Sequence, residues 1–286
     1  MNNTLLRTMV RGAYDLQKQR IQFGNRIAAN FRVKLGLEPS QKAEDDAEAA
    51  NVLKELVRRY RLITDGMVEL SRRRRFEYDG VISTYAELCI INHYLQIQAQ
   101  EARQFRDLVH ELKTYDIYTT FLESVKGVGP AMAGVITSEI DITKAKYASS
   151  VWRYAGLDVG PDGRGRSRRA EHLEERAYVD KNGETQTRRG LTFNPFLKTK
   201  LTGVLATSFL RCGSEYRDHY DRYRHRIDHH KTHAEKSDGH RHNMALRYMI
   251  KMFLIDLYMH WRALEGLEVH DPYHEAKLGH VHGPKP

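Results

Sequence analysis

The sequence predicts a mainly α protein, with a long helical coiled-coil arm followed by a helix-hairpin-helix-containing helical domain that carries a small β-hairpin insertion. Three observations carry this. Apolar residues recur in steps of three and four through residues 1–115, a segment with one proline, Pro39. A glycine-rich corner, Gly127-Val128-Gly129-Pro130, sits inside a helical frame at Phe121–Ile140. An Asn182-Gly183 pair lies within Gly160–Gly190, where apolar periodicity fades. These features divide the chain into an arm at 1–115, the hairpin-containing domain at 116–265 and a tail at 266–286.

The arm reads as three helices. The first runs from about Thr4 to Leu35, with Leu6, Val10, Ala13, Ile27, Phe31 and Leu35 at helical spacing and Gly36 and Pro39 as stop signals. The second places Leu53, Leu56, Tyr60, Ile63, Met67 and Leu70 on one seam, the geometry of a coiled coil. The third carries Ile91, Leu95, Ala102, Phe105, Val109 and Leu112. The seams suit either an intramolecular bundle or a homo-oligomer, and the long helices with polar outer faces favour self-association. Between the second and third helices, Arg72, Arg73, Arg74 and Arg75 form a run that serves either as a solvated face or as a contact to phosphates.

Beyond the arm, the Asn182-Gly183 pair predicts a hairpin whose tight turn needs positive φ at both residues. A helix follows Asn194-Pro195 through Leu197, Leu201, Val204, Leu205 and Phe209, and a closing helix spans Met244–Leu264.

The corner at Phe121–Ile140 has a physical logic. Gly127 and Gly129 allow positive φ and close approach of a nucleic-acid strand, and Val128 plugs the core. Pro130 opens the second helix, where its missing N–H costs nothing. The amides at that helix start can then hold a phosphate, with Lys126 beside them. Such contacts position a duplex without reading its sequence.

Composition agrees. Lys and Arg total 46 against 37 Asp and Glu, a formal charge of +9, which argues for a polyanionic partner. The two cysteines, Cys89 and Cys212, offer no disulfide framework or metal spacing. The N-terminus lacks a secretory pattern, and no stretch approaches the ~20 apolar residues of a membrane helix. The expectation is a cytoplasmic, nucleoid-associated protein with no membrane partner.

The segments VKGVGPAMAGVITSEI, VWRYAGLDVG and RGLTFNPFLKTKL, in this order, resemble the C-terminal domain of the insertion-sequence one-hundred-and-ten family of transposases, which includes the Piv and MooV invertases. There a G-x-G-x-x-x-A hairpin leads into a YAGL motif, a turn containing Ser and Gly, and a KRGN…LR helix. TMVRGAYDLQKQRIQFGNRIAANFRVKLG resembles the family's coiled-coil opening helix, and YRDHYDRYRHR…MALRYMIKMFLIDLYMHW its closing helices. The resemblance runs from about Thr8 to Tyr273. It implies a recombinase of mobile elements, guided by a structured RNA, with a serine nucleophile in this domain and acidic metal ligands in an N-terminal ribonuclease-H-like domain.

Two departures qualify it. The acidic domain is not in this sequence, so no metal ligands are assigned and Mg²⁺ enters only with a separate catalytic partner. An ungapped count also places Gly163 and Arg164 at the family's serine positions and Gly165 at its glycine. Ser167 is the nearby hydroxyl and hence the candidate nucleophile, flanked by Arg164, Arg166, Arg168 and Arg169 but with no base evident beside it. That gap favours a phosphate-gripping loop over a catalytic one.

The crowded histidines, His219, His225, His229, His230, His233, His240 and His242, include i, i+4 pairs of metal-ligand spacing, yet read better as a polar face towards nucleic acid. Trp152 and Tyr154 fit core packing better than base stacking. The function expected is therefore DNA binding in transposition or site-specific recombination. The alternative is a non-catalytic accessory or regulatory protein derived from a transposase.

Overall fold

The computed structural model describes residues 4–38, 46–160, 162–233 and 235–271. Among the described residues the chain is mainly helical with one two-stranded antiparallel sheet. It divides into two compact units, Thr8–Asp107 and Met1–Arg7 with Leu108–Pro286.

In the first unit, α1 (Thr4–Phe31), α2 (Asp46–Thr64) and α3 (Tyr85–Leu112) share a core of Ile27, Phe31, Val52, Leu56, Tyr60, Ile82, Leu88, Ile91 and Tyr94. Apolar residues at helical spacing bury one stripe of each helix, and that burial drives the packing. The seam of α2 therefore has partners within the chain. Its buried members are Val52, Leu56 and Tyr60, with Leu53, Ile63 and Leu70 at the margin. The helix stops at Thr64, short of the expected Leu70, because Asp65 (φ 50°) and Gly66 (φ 69°) turn left-handed. In α1 the expected positions Leu6, Val10, Ala13, Ile27 and Phe31 are all buried, and Val33–Leu35 form a 3₁₀ turn closed by left-handed Gly36. Thr84 and Glu87 exchange backbone hydrogen bonds at the start of α3, a capping box. Glu101, 7% exposed, is neutralised by Arg20 across the bundle.

In the second unit, α4 (Pro130–Glu139) is buried from Met132 to Glu139. Pro130 stands at its first turn, as expected. What precedes it is shorter than the expected helix, a π-helical turn at Tyr118–Leu122. Then come α5 (Ala148–Tyr154), the hairpin of β1 (Leu173–Val179) and β2 (Thr185–Leu191), α6 (Pro195–Thr199), a π-helical segment Lys200–Leu205 and α7 (Ala206–Cys212). The unit closes with α8 (Arg217–Asp228) and α9 (Asp238–Leu264), which begins earlier than expected, capped by Ser237. Leu197, Leu201, Leu205 and Phe209 are fully buried, whereas Val204 is exposed. Phe253 of α9 packs edge-on to Phe209 and stacks with Phe121. Tyr258 Oη donates to Lys146 O at 2.6 Å, and Arg262 donates to Ile142 O and Ala145 O.

The hairpin turn differs in type from the expectation. Asp180 N–H donates to Glu184 O, leaving a three-residue loop in which Gly183 alone has positive φ (84°). Asp180 Oδ1 accepts the amides of Asn182 and Glu184, so a side chain organises the loop and no second left-handed residue is required.

Candidate active site

The stretch after α5 folds back on itself. Val159 and Gly165 form an antiparallel bridge, Gly160 N–H donates to Arg164 O and Arg166 N–H donates to Asp158 O. Left-handed Gly163 (φ 71°) makes the reversal. An ion pair between Arg166 and Asp158 at 2.7 Å clamps the base of the loop.

This reversal brings Asp162, Ser167 and His172 together. Ser167 Oγ lies 3.0 Å from His172 Nδ1, and His172 Nε2 lies 3.0 Å from Asp162 Oδ1. The basic group within reach of Ser167 is His172, supplied by a short 3₁₀ turn at Ala170–His172. Ser167 N–H also donates to Nδ1 at 3.0 Å. Nδ1 is therefore the acceptor nitrogen, and Nε2–H is donated to Asp162. The imidazole is 1% exposed, which fixes its orientation. Two amide and imidazole donors, from Arg164 and His172, hold the Asp162 carboxyl below the usual carboxylate range. Gly160 makes room for the pair, since a Cβ there would stand 2.8 Å from His172 Nε2 and 3.0 Å from Asp162 Oδ1.

Cations gather on the same loop from distant parts of the chain. Lys198 of α6 donates to Arg166 O, with its ammonium 4.8 Å from the Phe193 ring centroid. Arg247 of α9 lies so close to Gly165 that a Cβ there would overlap Nη1. Lys251, one turn on, sits over Trp152 at 5.2 Å, and Trp152 Nε1 donates to Lys251 O. Burial pushes all three down, Lys198 to about 8, and Arg247 lowers both lysines further by repulsion. Among the described residues neither Arg247 nor Lys251 has an ion-pair partner, and Asp158 is engaged by Arg166. Half-buried cations that repel one another and share a single nearby carboxylate, Asp158, already paired with Arg166, are suited to an anion.

The other expected residues lie as follows. Arg164, Arg168 and Arg169 are exposed, with Arg169 4.0 Å from Asp162, whereas Arg166 is buried on Asp158. Lys126 and Gly129 are exposed, and Val128 is buried. Of the two corner glycines only Gly127 has positive φ (101°), while Gly129 is extended at φ −81°. A Cβ on Gly127 would meet Phe209 at 2.8 Å and Cys212 at 2.9 Å. Its missing side chain therefore makes room for α7, not for a nucleic-acid strand as expected. A Cβ on Gly129 would meet open space. Arg72, Arg73, Arg74 and Arg75 are exposed on the loop between α2 and α3, with Arg72 over Tyr85 and Arg74 3.8 Å from Asp65. Trp152 is half-buried against α9, and Tyr154 Oη accepts from Asn194.

The imidazoles of His225 and His229 lie 4.3 Å apart. Among the described residues no three His, Cys, Asp or Glu side chains gather to hold a metal ion. No helix among the described residues is long and apolar enough to cross a membrane. No family model, no curated protein and no solved structure matches this chain.

Proposed function

We propose that this protein binds DNA and acts in DNA transposition or site-specific recombination as a transposase-like protein of a mobile element, with Ser167 as the nucleophile. The observation that carries the reading is the Ser167–His172–Asp162 chain, two 3.0 Å steps, set on a loop bordered by Lys198 and Arg247. A serine is activated by a base within hydrogen-bond reach that is itself oriented by a third group. As Oγ attacks a phosphodiester, an Oγ–P bond forms and one sugar O–P bond breaks. The Oγ proton passes to His172 Nδ1, and the departing sugar oxygen, on the far side of phosphorus from Oγ, takes its proton from solvent. Positive side chains offset charge on the phosphoryl oxygens.

The exposed Lys126–Gly129 corner, read as the tight turn between the two helices of a helix-hairpin-helix, contacts phosphate backbone. Arg72, Arg73, Arg74, Arg75, Arg164, Arg168 and Arg169 add charge for DNA and for a structured guide RNA. The polar outer faces of the long helices, whose seams are filled within the chain, serve a homo-oligomer, the setting is the nucleoid, and Mg²⁺ chemistry belongs to a catalytic partner. A second reading, a non-catalytic accessory protein derived from a transposase, is favoured by one observation. Ser167 N–H shares the Nδ1 lone pair with Oγ, so His172 also staples the loop. Strand cleavage by the purified protein with duplex DNA, Mg²⁺ and co-purified nucleic acid separates the two. Cleavage abolished by Ser167→Ala supports the first reading, and binding without cleavage leaves the second.

A further inference from the structure

The hairpin β1–β2 springs directly from the candidate active site. Its first strand begins one residue after His172, and its second returns to Asn194 at the cap of α6, the helix that carries Lys198. From Glu174 to Val179 and from Thr185 to Arg189 every residue is exposed, so both faces of the ribbon are open. A two-stranded ribbon with no core is marginal by itself and is usually stabilised by what it packs on.

The two faces differ in charge. The register puts Glu175 opposite Arg189, Ala177 opposite Thr187 and Val179 opposite Thr185 on one face, where the charges complement each other. The other face pairs Glu174 with Gly190, Arg176 with Arg188 and Tyr178 with Gln186. Glu174 is taken up by Arg153 of α5 at 3.2 Å. That leaves two arginines directly opposed, an arrangement that costs stability in an isolated hairpin. They relieve it by splaying. Arg188 leans towards the tip, 5.1 Å from the Tyr178 ring centroid. Arg176 leans towards the base, where its Cδ covers Gly190 at 3.7 Å from the position of a Cβ. The face thus presents a row of two guanidinium groups and an aromatic ring.

We propose that this face, Arg176, Tyr178 and Arg188, docks on duplex DNA and lays the duplex beside Ser167. The partner follows from charge and shape. Two unneutralised arginines call for a polyanion, and their planar forks match phosphate. A two-stranded β-ribbon fits the ~12 Å major groove of B-form DNA, whereas the major groove of duplex RNA is too deep and narrow to admit one. The inference rests on the DNA-binding part of the proposed function and is independent of cleavage.

The test is the fluorescence anisotropy of labelled duplex DNA and duplex RNA, titrated with the full chain at several salt concentrations. Arg176→Ala/Arg188→Ala is compared with Arg189→Ala, which removes a cation from the opposite face. All three side chains are exposed, and coincident thermal melts establish that the variants fold. The double variant is expected to bind DNA on the order of 10-fold more weakly at 0.1 M salt, with the log–log salt slope shallower by about 1.8, the loss of two phosphate contacts. Arg189→Ala is expected to change neither. An unchanged slope in the double variant, an equal loss in Arg189→Ala, or a loss confined to duplex RNA overturns the proposal. If the unaltered protein binds no duplex DNA, both this inference and the DNA-binding reading fall. If it binds DNA and the double variant binds equally well, only the hairpin's role falls.

Discussion

Gly165 and Arg247 occupy one another's space: the guanidinium of Arg247 stands where a side chain at position 165 would begin. Eighty-two residues apart in sequence, they are forced into register by the Val159–Gly165 bridge on one side and the buried face of α9 on the other. Gly165→Ala must therefore displace Arg247 or open the loop. The atoms met are the far end of a flexible side chain, so the expected cost lies at the low end for overpacked sites, about 1 kcal/mol. Chemical denaturation measures it, and the same variant is expected to lose affinity for inorganic phosphate.

Lys198 gives the site a pH signature. Its folded value is lowered from 10.5 to about 8, chiefly by burial. Between these values the unfolded chain binds more protons than the folded one, so stability rises with pH across that window. Below about pH 8 the ammonium is charged in both states and its desolvation works against folding in full. Lys198→Met is thus expected to raise the melting temperature at pH 7, with the difference fading towards pH 10.5. Inorganic phosphate is expected to stabilise the unaltered protein at pH 7 more than this variant.

His172 and Ser167 are expected to behave as a unit. His172→Ala strands the part-buried Ser167 amide, at about 1–3 kcal/mol, whereas Asp162 Oδ1 keeps the Arg164 amide. Ser167→Ala keeps both of these His172 bonds and is expected to leave the melting temperature nearly unchanged. If the pair is catalytic, each variant abolishes strand cleavage, and the double variant is no worse than either single one. Additive residual activities would mean that the two do not share a step.

The corner at Lys126–Pro130 separates stability from binding. Gly127→Ala meets Phe209 and Cys212 and strains a backbone at φ 101°, so it is expected to destabilise by about 1–3 kcal/mol. Gly129→Leu enters open space at an ordinary φ and loses only a favourable N-cap residue, about 0.5–1 kcal/mol. If the corner grips phosphates, Gly129→Leu weakens duplex binding more than Gly129→Ala, which shares the same N-cap cost. Unchanged binding removes the corner from the interface.

What was legible in the sequence was whatever local periodicity dictates. Leu6, Val10, Ala13, Ile27 and Phe31 announced α1, and Asn194-Pro195 announced the start of α6, where Asn194 Oδ1 caps Phe196 and Leu197. The seam of α2 was overextended because apolar spacing continued to Leu70 after the backbone had turned at Asp65 and Gly66. The candidate site was half-legible. Ser167 stood out among arginines, while His172 escaped notice because a loop reversal, not helical or strand spacing, brings it to Ser167. A signal existed, since Asp162, Ser167 and His172 recur at intervals of five residues. Lys198, Arg247 and Lys251 gave none. They lie on helices whose packing places them there, and a basic protein offers many other lysines and arginines. Arg166, expected at a phosphate, is instead turned inward on Asp158.

The role of Ser167 as nucleophile is tested most directly by a covalent readout. A serine nucleophile that attacks a phosphodiester leaves the nucleic-acid strand attached through Oγ. The protein is incubated with duplex DNA, Mg²⁺ and co-purified nucleic acid, denatured, and analysed by mass spectrometry with peptide mapping. A nucleotide adduct is expected on Ser167, and it disappears in Ser167→Ala and in His172→Ala. DNA binding with no adduct, or an adduct that persists in Ser167→Ala, would contradict that role.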